Sequence, residues 1–526
     1  MPIIDSDFVG GGVENVHFID KTHIEFSAPM GGSPQSLWYY FRVNGGKGEK
    51  LHFSQKGLNK VLGVKESRGY APVVPVFKNE DNEWERICED DIAYCEEQLS
   101  YEFSVTPECN EFYLAFCYPY LLEDFMRFIQ KQNTALIAVR TLGKTQEGRD
   151  YPCVLVGYPE KPEVNKAVLL FARQHAGEVS ASFVLEGFLA SLLGDKVNAK
   201  KALESTVFCI FPIVDLDSVQ SGRYGKDRYP IDFNRDWSHN PYHCEIGLIQ
   251  KELDRLSNRY SLVWGFDLHA PQPGGASYMP PNRNNTAGSA QWEQMWSFAL
   301  AYEDFCKKAG CSFHVNDVDT AVLNWGTINF HSLINRYIEQ KYGCHLLCFE
   351  YTYHRTQDNT VITPKDWRKM GDVLFNTLAE TVLLHDGLNK KPDVERIPTW
   401  AVPAVYINWD TIVNTSGVEL TENNEKMRIK PIAEKNRVWL SSKNLFTYTK
   451  AEKILSITSE IHCNLRLHYA FFKNGEFMEN STCKYFYISG TQAIDSPLNM
   501  TNGSNQFLIM LDIDDICGEV LICLGG

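Results

Sequence analysis

Between residues 119 and 388 the chain alternates short apolar runs with helix-length segments. The runs CVLVGYP, AVLLFAR, TVFCIFP, SLVWGFDLH and HLLCFEY are almost wholly apolar. They show no in–out alternation, which fits strands covered on both faces. Between them lie VSASFVLEGFLASLLG, CEIGLIQKELDRLSN, AQWEQMWSFALAYEDFCKKAG, SLINRYIEQKYG and PKDWRKMGDVLFNTLAETVLL, which read as helices. Strands joined through helices need crossover connections, so the order predicts a mixed, mostly parallel sheet with helices on its faces. Such a sheet gathers its chemistry at the carboxyl ends of its strands.

The flanks have a different texture. Residues 1–118 carry aromatic and β-branched runs (APVVPVF, LSYEFSV, EFYLAFCYPY) and a stretch, SLWYYFRVNGGKGEKLHFS, that reads as a hairpin closed by Asn44-Gly45. This predicts an N-terminal β-sandwich. A proline-rich hinge, LNKKPDVERIPTWAVPAV, leads into residues 389–526, where RVWLS, KILSITS, LRLHYAFF, KYFYISG, QFLIMLDI and EVLICLGG predict a C-terminal β-sandwich-like domain. The expected architecture is a multi-domain chain, α/β in the centre (119–388) and all-β on either side.

Composition narrows the function. Of 526 residues, 44% are hydrophobic and 22% charged, which excludes a disordered or fibrous chain. The net charge of −15 argues against nucleic acid or an anionic membrane as partner, since both repel it. The longest apolar runs, AVLLFA and FLIMLDI, are too short to span a bilayer. Fifteen cysteines, odd in number and without a CxxC pair, suit a reducing compartment. The opening MPIIDSDFVGGG has neither a basic nor an apolar leader region, so the expected location is cytoplasmic.

One phosphate-loop lookalike falls away at once: Gly143-Lys144-Thr145 has Ala138 where the leading glycine belongs. The informative stretch is FARQHAGEVSASFVLEGF, in which His175 follows an apolar strand and Glu178 opens a helix. A His and a carboxylate at this spacing can face one metal. His269 ends SLVWGFDLH, and two His with one Glu make a catalytic zinc set with a position left for water. Glu350 ends HLLCFE, and an acid finishing a buried run is costly unless it works or is paired. Asn234 and Arg235 in DFNRDW suit a carboxylate, and the preceding loop carries Arg223, Lys226 and Arg228. His239, His243, His314, His331, His345 and His354 lack ligand spacing and read as surface or core groups.

Taken in order, these motifs resemble the metallocarboxypeptidases, most of all their cytosolic-carboxypeptidase branch. HAGEVSASFVLEGFLASLLGD is similar to the zinc-binding segment, and DSVQSGRYGKDRYPIDFNRDW to the branch's Asp-Gly-Val, Gly-x-Tyr and Asp-Leu-Asn-Arg series. FDLH is similar to its Asp-x-His strand, ITPKDWRKMGDVLFNTL to its closing helix, and LWYYFRVNGGKGEKLHF with YLAFCYPYLLEDF to its β-domain. The resemblance runs from about residue 15 to 388. It implies one Zn2+ per chain on His175, Glu178 and His269, with Glu350 as general base and acid. Asn234 and Arg235 would grip the substrate's terminal carboxylate, and Asp232 would orient a zinc-binding His. Gly225 stands where the branch has a carbonyl-polarising arginine, leaving Arg223 or Arg228 to inherit that role. Gly326-Thr327 resembles the start of the substrate-side loop, with Asn329 in place of its arginine. The implied function is a zinc exopeptidase acting on peptide or protein C-termini, with Glu or Asp ends expected from the basic loop. Two alternatives stay open: an amidase on cell-wall stem peptides, and a catalytically silent peptide- or glycan-binding protein.

Overall fold

The computed structural model describes residues 1–56, 73–271, 277–279, 290–315 and 333–384, apart from breaks of one to four residues, and beyond 408 mainly the strands named below. The central sheet has eight strands, in the order Ile137–Lys144, Asp150–Val156, Thr206–Phe211, Lys166–Ala172, Ser261–His269, His345–Glu350, Tyr278–Met279 and His314–Val315. The four in the middle, from Thr206–Phe211 to His345–Glu350, pair in parallel. Antiparallel pairings flank them on both sides. The sheet is therefore mixed, with a parallel centre, as the alternation of runs and helices predicts.

Both faces are covered, and the strand period assigns the residues. Val168, Leu170 and Ala172 join one core with the helices Ser180–Leu192, Ala290–Lys308 and Pro364–Leu378. Leu169 and Phe171 join a second core with Ile246, Ile249, Leu253 and Leu256 of the helix Cys244–Ser257. Each large apolar side chain so buried contributes roughly 1.5–3 kcal/mol. The last helix is firmly started: Pro364 takes its first turn, and Thr363 and Asp366 cap each other. Among the described residues no helix is long and apolar enough to cross a membrane.

The N-terminal region is built from two five-stranded sheets. They face each other across an aromatic core, with Phe26 of one sheet 5.1 Å from Phe41 of the other. Here one expectation is corrected. Tyr40–Asn44 and Leu51–Gln55 do not form a hairpin; they lie in different sheets, paired with Glu111–Ala115 and Ser100–Val105 respectively. The connection turns a corner instead, Gly45 N–H donating to Asn110 O and Gly48 N–H to Pro107 O. The alternation along both strands points Phe41, Val43, Leu51 and Phe53 at one core, a condition that either arrangement satisfies.

The C-terminal strands form a ten-stranded sheet centred on Lys453–Lys473. KILSITS and LRLHYAFF, separate runs in the sequence, are one 21-residue strand. Its first half pairs with Val520–Leu524 and its second with Gln506–Cys517. The residues between the two runs include no glycine or proline to end the strand. The proline-rich hinge lies outside the described residues.

Candidate metal centre

Three neighbouring strands of the sheet deliver their side chains to one place. His175 and Glu178 follow the strand Lys166–Ala172, where the chain turns into the helix Ser180–Leu192. That turn is locked from two sides. Arg173 takes a left-handed φ of 61°, and its buried guanidinium bonds Ala176 O, Tyr120 O and Ser182 Oγ. Gly177 N–H donates to Tyr224 O at 2.7 Å, and a Cβ on Gly177 would stand 2.2 Å from the Tyr224 ring. Only glycine fits there. His269 ends its own strand, and the parallel register places Glu350 directly opposite it.

The donor atoms converge. His175 Nδ1 lies 2.8 Å from Glu178 Oε1, and His269 Nδ1 lies 2.7 Å from Glu178 Oε2. Each imidazole turns its other nitrogen to a carboxylate: His175 Nε2 to Asp232 at 3.1 Å, and His269 Nε2 to Asp267 at 2.8 Å. Backing of this kind orients an imidazole and raises its basicity toward a metal. Asp267 is anchored by the Gln174 amide at 2.9 and 2.8 Å, and Gln174 Oε1 in turn accepts from Trp237 Nε1. The ligand atoms of His175, Glu178 and His269 all lie within 4.8 Å of one another, and the three residues are buried. Two imidazole nitrogens and one carboxylate suit zinc with an open position. Asp267, His269 and Cys348 also cluster, but Asp267 is held behind His269 by Gln174, so the seat lies on the Glu178 side.

Two further charges meet there. Glu350 is buried, and its Oε2 has no hydrogen-bond partner among the described residues. Burial pushes its carboxyl up, against the pull of Lys226. Lys226, also buried, places Nζ 2.8 Å from Glu178 Oε1. Burial pulls that ammonium down, but Glu178 and Glu350 outweigh it and hold it well above the usual lysine range. Glu178 is disfavoured by burial as well, yet His175, Lys226 and His269 keep it well below the usual carboxylate range.

Of the other expected residues, Asp232 caps the short turn Phe233–Arg235, its Oδ1 accepting from Asn234 N–H at 2.7 Å. Asn234 Nδ2 reaches within 3.3 Å of His269 Nε2, and buried Arg235 donates to Asn234 O. Arg223 and Arg228, the residues expected to serve the site, each pair with a carboxylate outside the His175–Glu178–His269 cluster. Arg223 pairs with Glu147 at 3.1 Å near the surface. Arg228 pairs with buried Asp215 at 3.2 Å. Gly225 takes a φ of 83°, with Asp215 Oδ2 and Ala176 N within 2.9 Å of any Cβ, and the next residue, Lys226, reaches Glu178.

Sequence reasoning missed Lys226 as a site residue, and also Asp267, Gln174 and Arg173. Asp267 had a signal: residues two apart on a strand share a face, so an acid before His269 points the same way. His243 stacks on Phe233 at 3.8 Å and bonds Ile231 O, and His345 meets Gln294. Both fit the reading as core or surface groups. Gly326, Thr327 and Asn329 lie outside the described residues.

Known proteins share this frame. The zinc carboxypeptidase family matches residues 122–361. Mouse cytosolic carboxypeptidase 6 is 24% identical over 286 residues, 51% of this chain and 52% of its own length. Mouse cytosolic carboxypeptidase 3 is 26% identical over 292 residues, 51% of this chain and 29% of its own. The chain thus matches about half, or less, of the length of these curated relatives. Among solved structures, a metallo-carboxypeptidase from Burkholderia cenocepacia superposes with a TM-score of 0.62 at 19% identity, covering 72% of this chain and 98% of its own. A Pseudomonas aeruginosa metallo-carboxypeptidase gives 0.59 at 19% identity, covering 72% and 98%. The fold is carboxypeptidase-like α/β with a mixed sheet and additional β-rich regions.

Proposed function

We propose that this chain, a zinc carboxypeptidase through residues 122–361, removes single residues from the C-terminal ends of peptides or protein tails. The observation that carries the reading is the convergence of His175, Glu178 and His269 beside Glu350, whose buried Oε2 is unpartnered among the described residues. Zinc, when bound, supplies Lewis acidity and makes its water acidic enough to attack near neutral pH. Glu350 takes the proton of the attacking water and passes it to the departing amine, a task suited to a carboxyl whose pKa burial has raised. Asn234 and Arg235 hold the substrate's terminal carboxylate, which confines cleavage to chain ends. Asp232 and Asp267 keep the two imidazoles facing inward.

The expectation of acidic ends rests on a locally basic mouth supplied by Arg223, Lys226 and Arg228 on one loop. Arg223, Lys226 and Arg228 each have a carboxylate partner, so the reading is a general carboxypeptidase, with Glu and Asp ends as one arm of its test. We divide the chain into an N-terminal β-sandwich (1–118), a catalytic domain (119–388) and a β-rich C-terminal domain (389–526), and place it in the cytoplasm. The test is a panel of peptides differing in the last residue, with C-terminal amides as controls. Release of one residue from free acids and none from amides is the expected result. Turnover of amides or of internal bonds, or no turnover by zinc-loaded protein, would overturn it.

A further inference from the structure

We propose that Lys226 is the catalytic cation of this site: its ammonium holds the oxygen of the scissile carbonyl as negative charge develops on it. The inference rests on the carboxypeptidase reading and names a residue for a task that Arg223, paired with Glu147, and Arg228, paired with Asp215, leave open.

Position comes first. The attacking water has to lie within reach of both the metal seat and Glu350, so the carbonyl under attack lies beside both. Lys226 is bonded to Glu178, a metal-seat residue, and its charge acts on Glu350. Being 4% exposed, it works away from bulk water, where one charge–oxygen contact is worth far more than at a surface. The placement is also built in. Gly225 turns the backbone inward at φ 83°. Tyr224 O, one residue earlier, is tied to Gly177 in the metal-binding turn, while the Ser33 hydroxyl from the N-terminal region bonds Lys226 O. Both flanks of the residue are therefore fixed to elements that frame the site.

The energetics point the same way. An ammonium beside a metal-ligating carboxylate repels the divalent ion and competes with it for that carboxylate, so it weakens metal binding. Glu178 already has two imidazoles directed at it and needs no lysine for orientation. The charge makes sense as an investment in the transition state. Water oxygen bonds to the carbonyl carbon while its proton goes to Glu350, and the carbonyl π pair moves onto oxygen, where Lys226 donates a hydrogen bond. The C–N bond then breaks, the electron pair leaving on nitrogen, which takes the proton from Glu350. The acid and amine products exchange the remaining proton through solvent. Lys226 keeps all of its own.

The experiment compares full-length wild type with Lys226→Met and Lys226→Arg. We expect Lys226→Met to lower kcat by about 10²–10³-fold, the usual loss for one oxyanion donor, with KM little changed. Lys226→Arg should recover part of it. Two readouts do not depend on turnover. Zinc affinity, by chelator competition, should stay equal or rise in Lys226→Met. Affinity for a phosphonate peptide, a tetrahedral mimic of the reacting centre, should fall in proportion to kcat/KM. Weaker zinc binding with unchanged phosphonate affinity would make Lys226 a prop for Glu178 and overturn the proposal. So would a loss confined to KM, which would make it a ground-state carboxylate binder. If zinc-loaded wild type cleaves no peptide, the carboxypeptidase reading fails by itself, and the phosphonate comparison still decides for or against Lys226.

Discussion

His175 and Glu178 are three residues apart and meet at one point; Arg223, Lys226 and Arg228 share six residues and end on three different carboxylates. The first segment is a strand-to-helix turn bolted by Arg173 and Gly177, so its spacing translates directly into geometry. The second is an irregular loop whose direction is set residue by residue by whatever it packs against. Spacing within a regular turn is therefore evidence of convergence. Crowding within a loop is not.

The largest test of that contrast removes the convergent set. His269→Ala or His175→Ala should abolish stoichiometric zinc, measured by metal analysis of purified protein. Glu350→Gln should keep the metal while hydrolysis falls by several orders of magnitude, because the proton carrier goes and the ligands stay. Near-normal turnover in Glu350→Gln would break the assignment.

Gly225→Ala probes what steers the loop. A Cβ there meets Asp215 Oδ2 and Ala176 N within 2.9 Å, on a backbone where an L-residue costs about 1–2 kcal/mol. We expect kcat to fall by about 10–100-fold as Lys226 is displaced, with zinc retained. An unchanged kcat would mean that the loop's direction does not depend on this glycine.

Arg228→Ala should act on stability and not on chemistry. It leaves buried Asp215, whose carboxyl burial already pushes up, with the Ser218 N–H as a partner but without its cation, and loss of one partner of a buried pair costs about 3–5 kcal/mol. Denaturant unfolding should show that loss with kcat/KM nearly intact. Arg223→Ala, at the surface, should change either quantity by no more than about 1 kcal/mol.

A further effect concerns acid. Burial draws the imidazole of His243 down to about 4. The unfolded chain therefore takes up that proton first, and the folding stability tied to a neutral His243 is present above pH 6.5 and lost as pH falls toward 4. Unfolding curves across that window should show a decline on the order of 1–3 kcal/mol, flattened in His243→Gln. An identical slope in the variant would rule His243 out.

The sequence alone determined the central sheet, because strands buried on both faces leave long apolar runs and their helices leave a different period. It also pointed to the candidate metal set and its neighbouring acid, since His175 and Glu178 sit on one turn and His269 and Glu350 each finish a strand. Which face Asp267 occupied was readable by the same two-residue rule. What only the tertiary structure decided were the places where neighbours outside the local segment choose. Tyr40–Asn44 and Leu51–Gln55 went to separate sheets because a corner satisfies their alternation as well as a hairpin does. Lys226 became the buried cation because Gly225 is wedged against Ala176 and Asp215 while Ser33, 193 residues away along the chain, holds its carbonyl. Local pattern reports periodicity and spacing; the direction of a loop depends on contacts between residues distant in sequence, and those exist only once the chain has closed on itself.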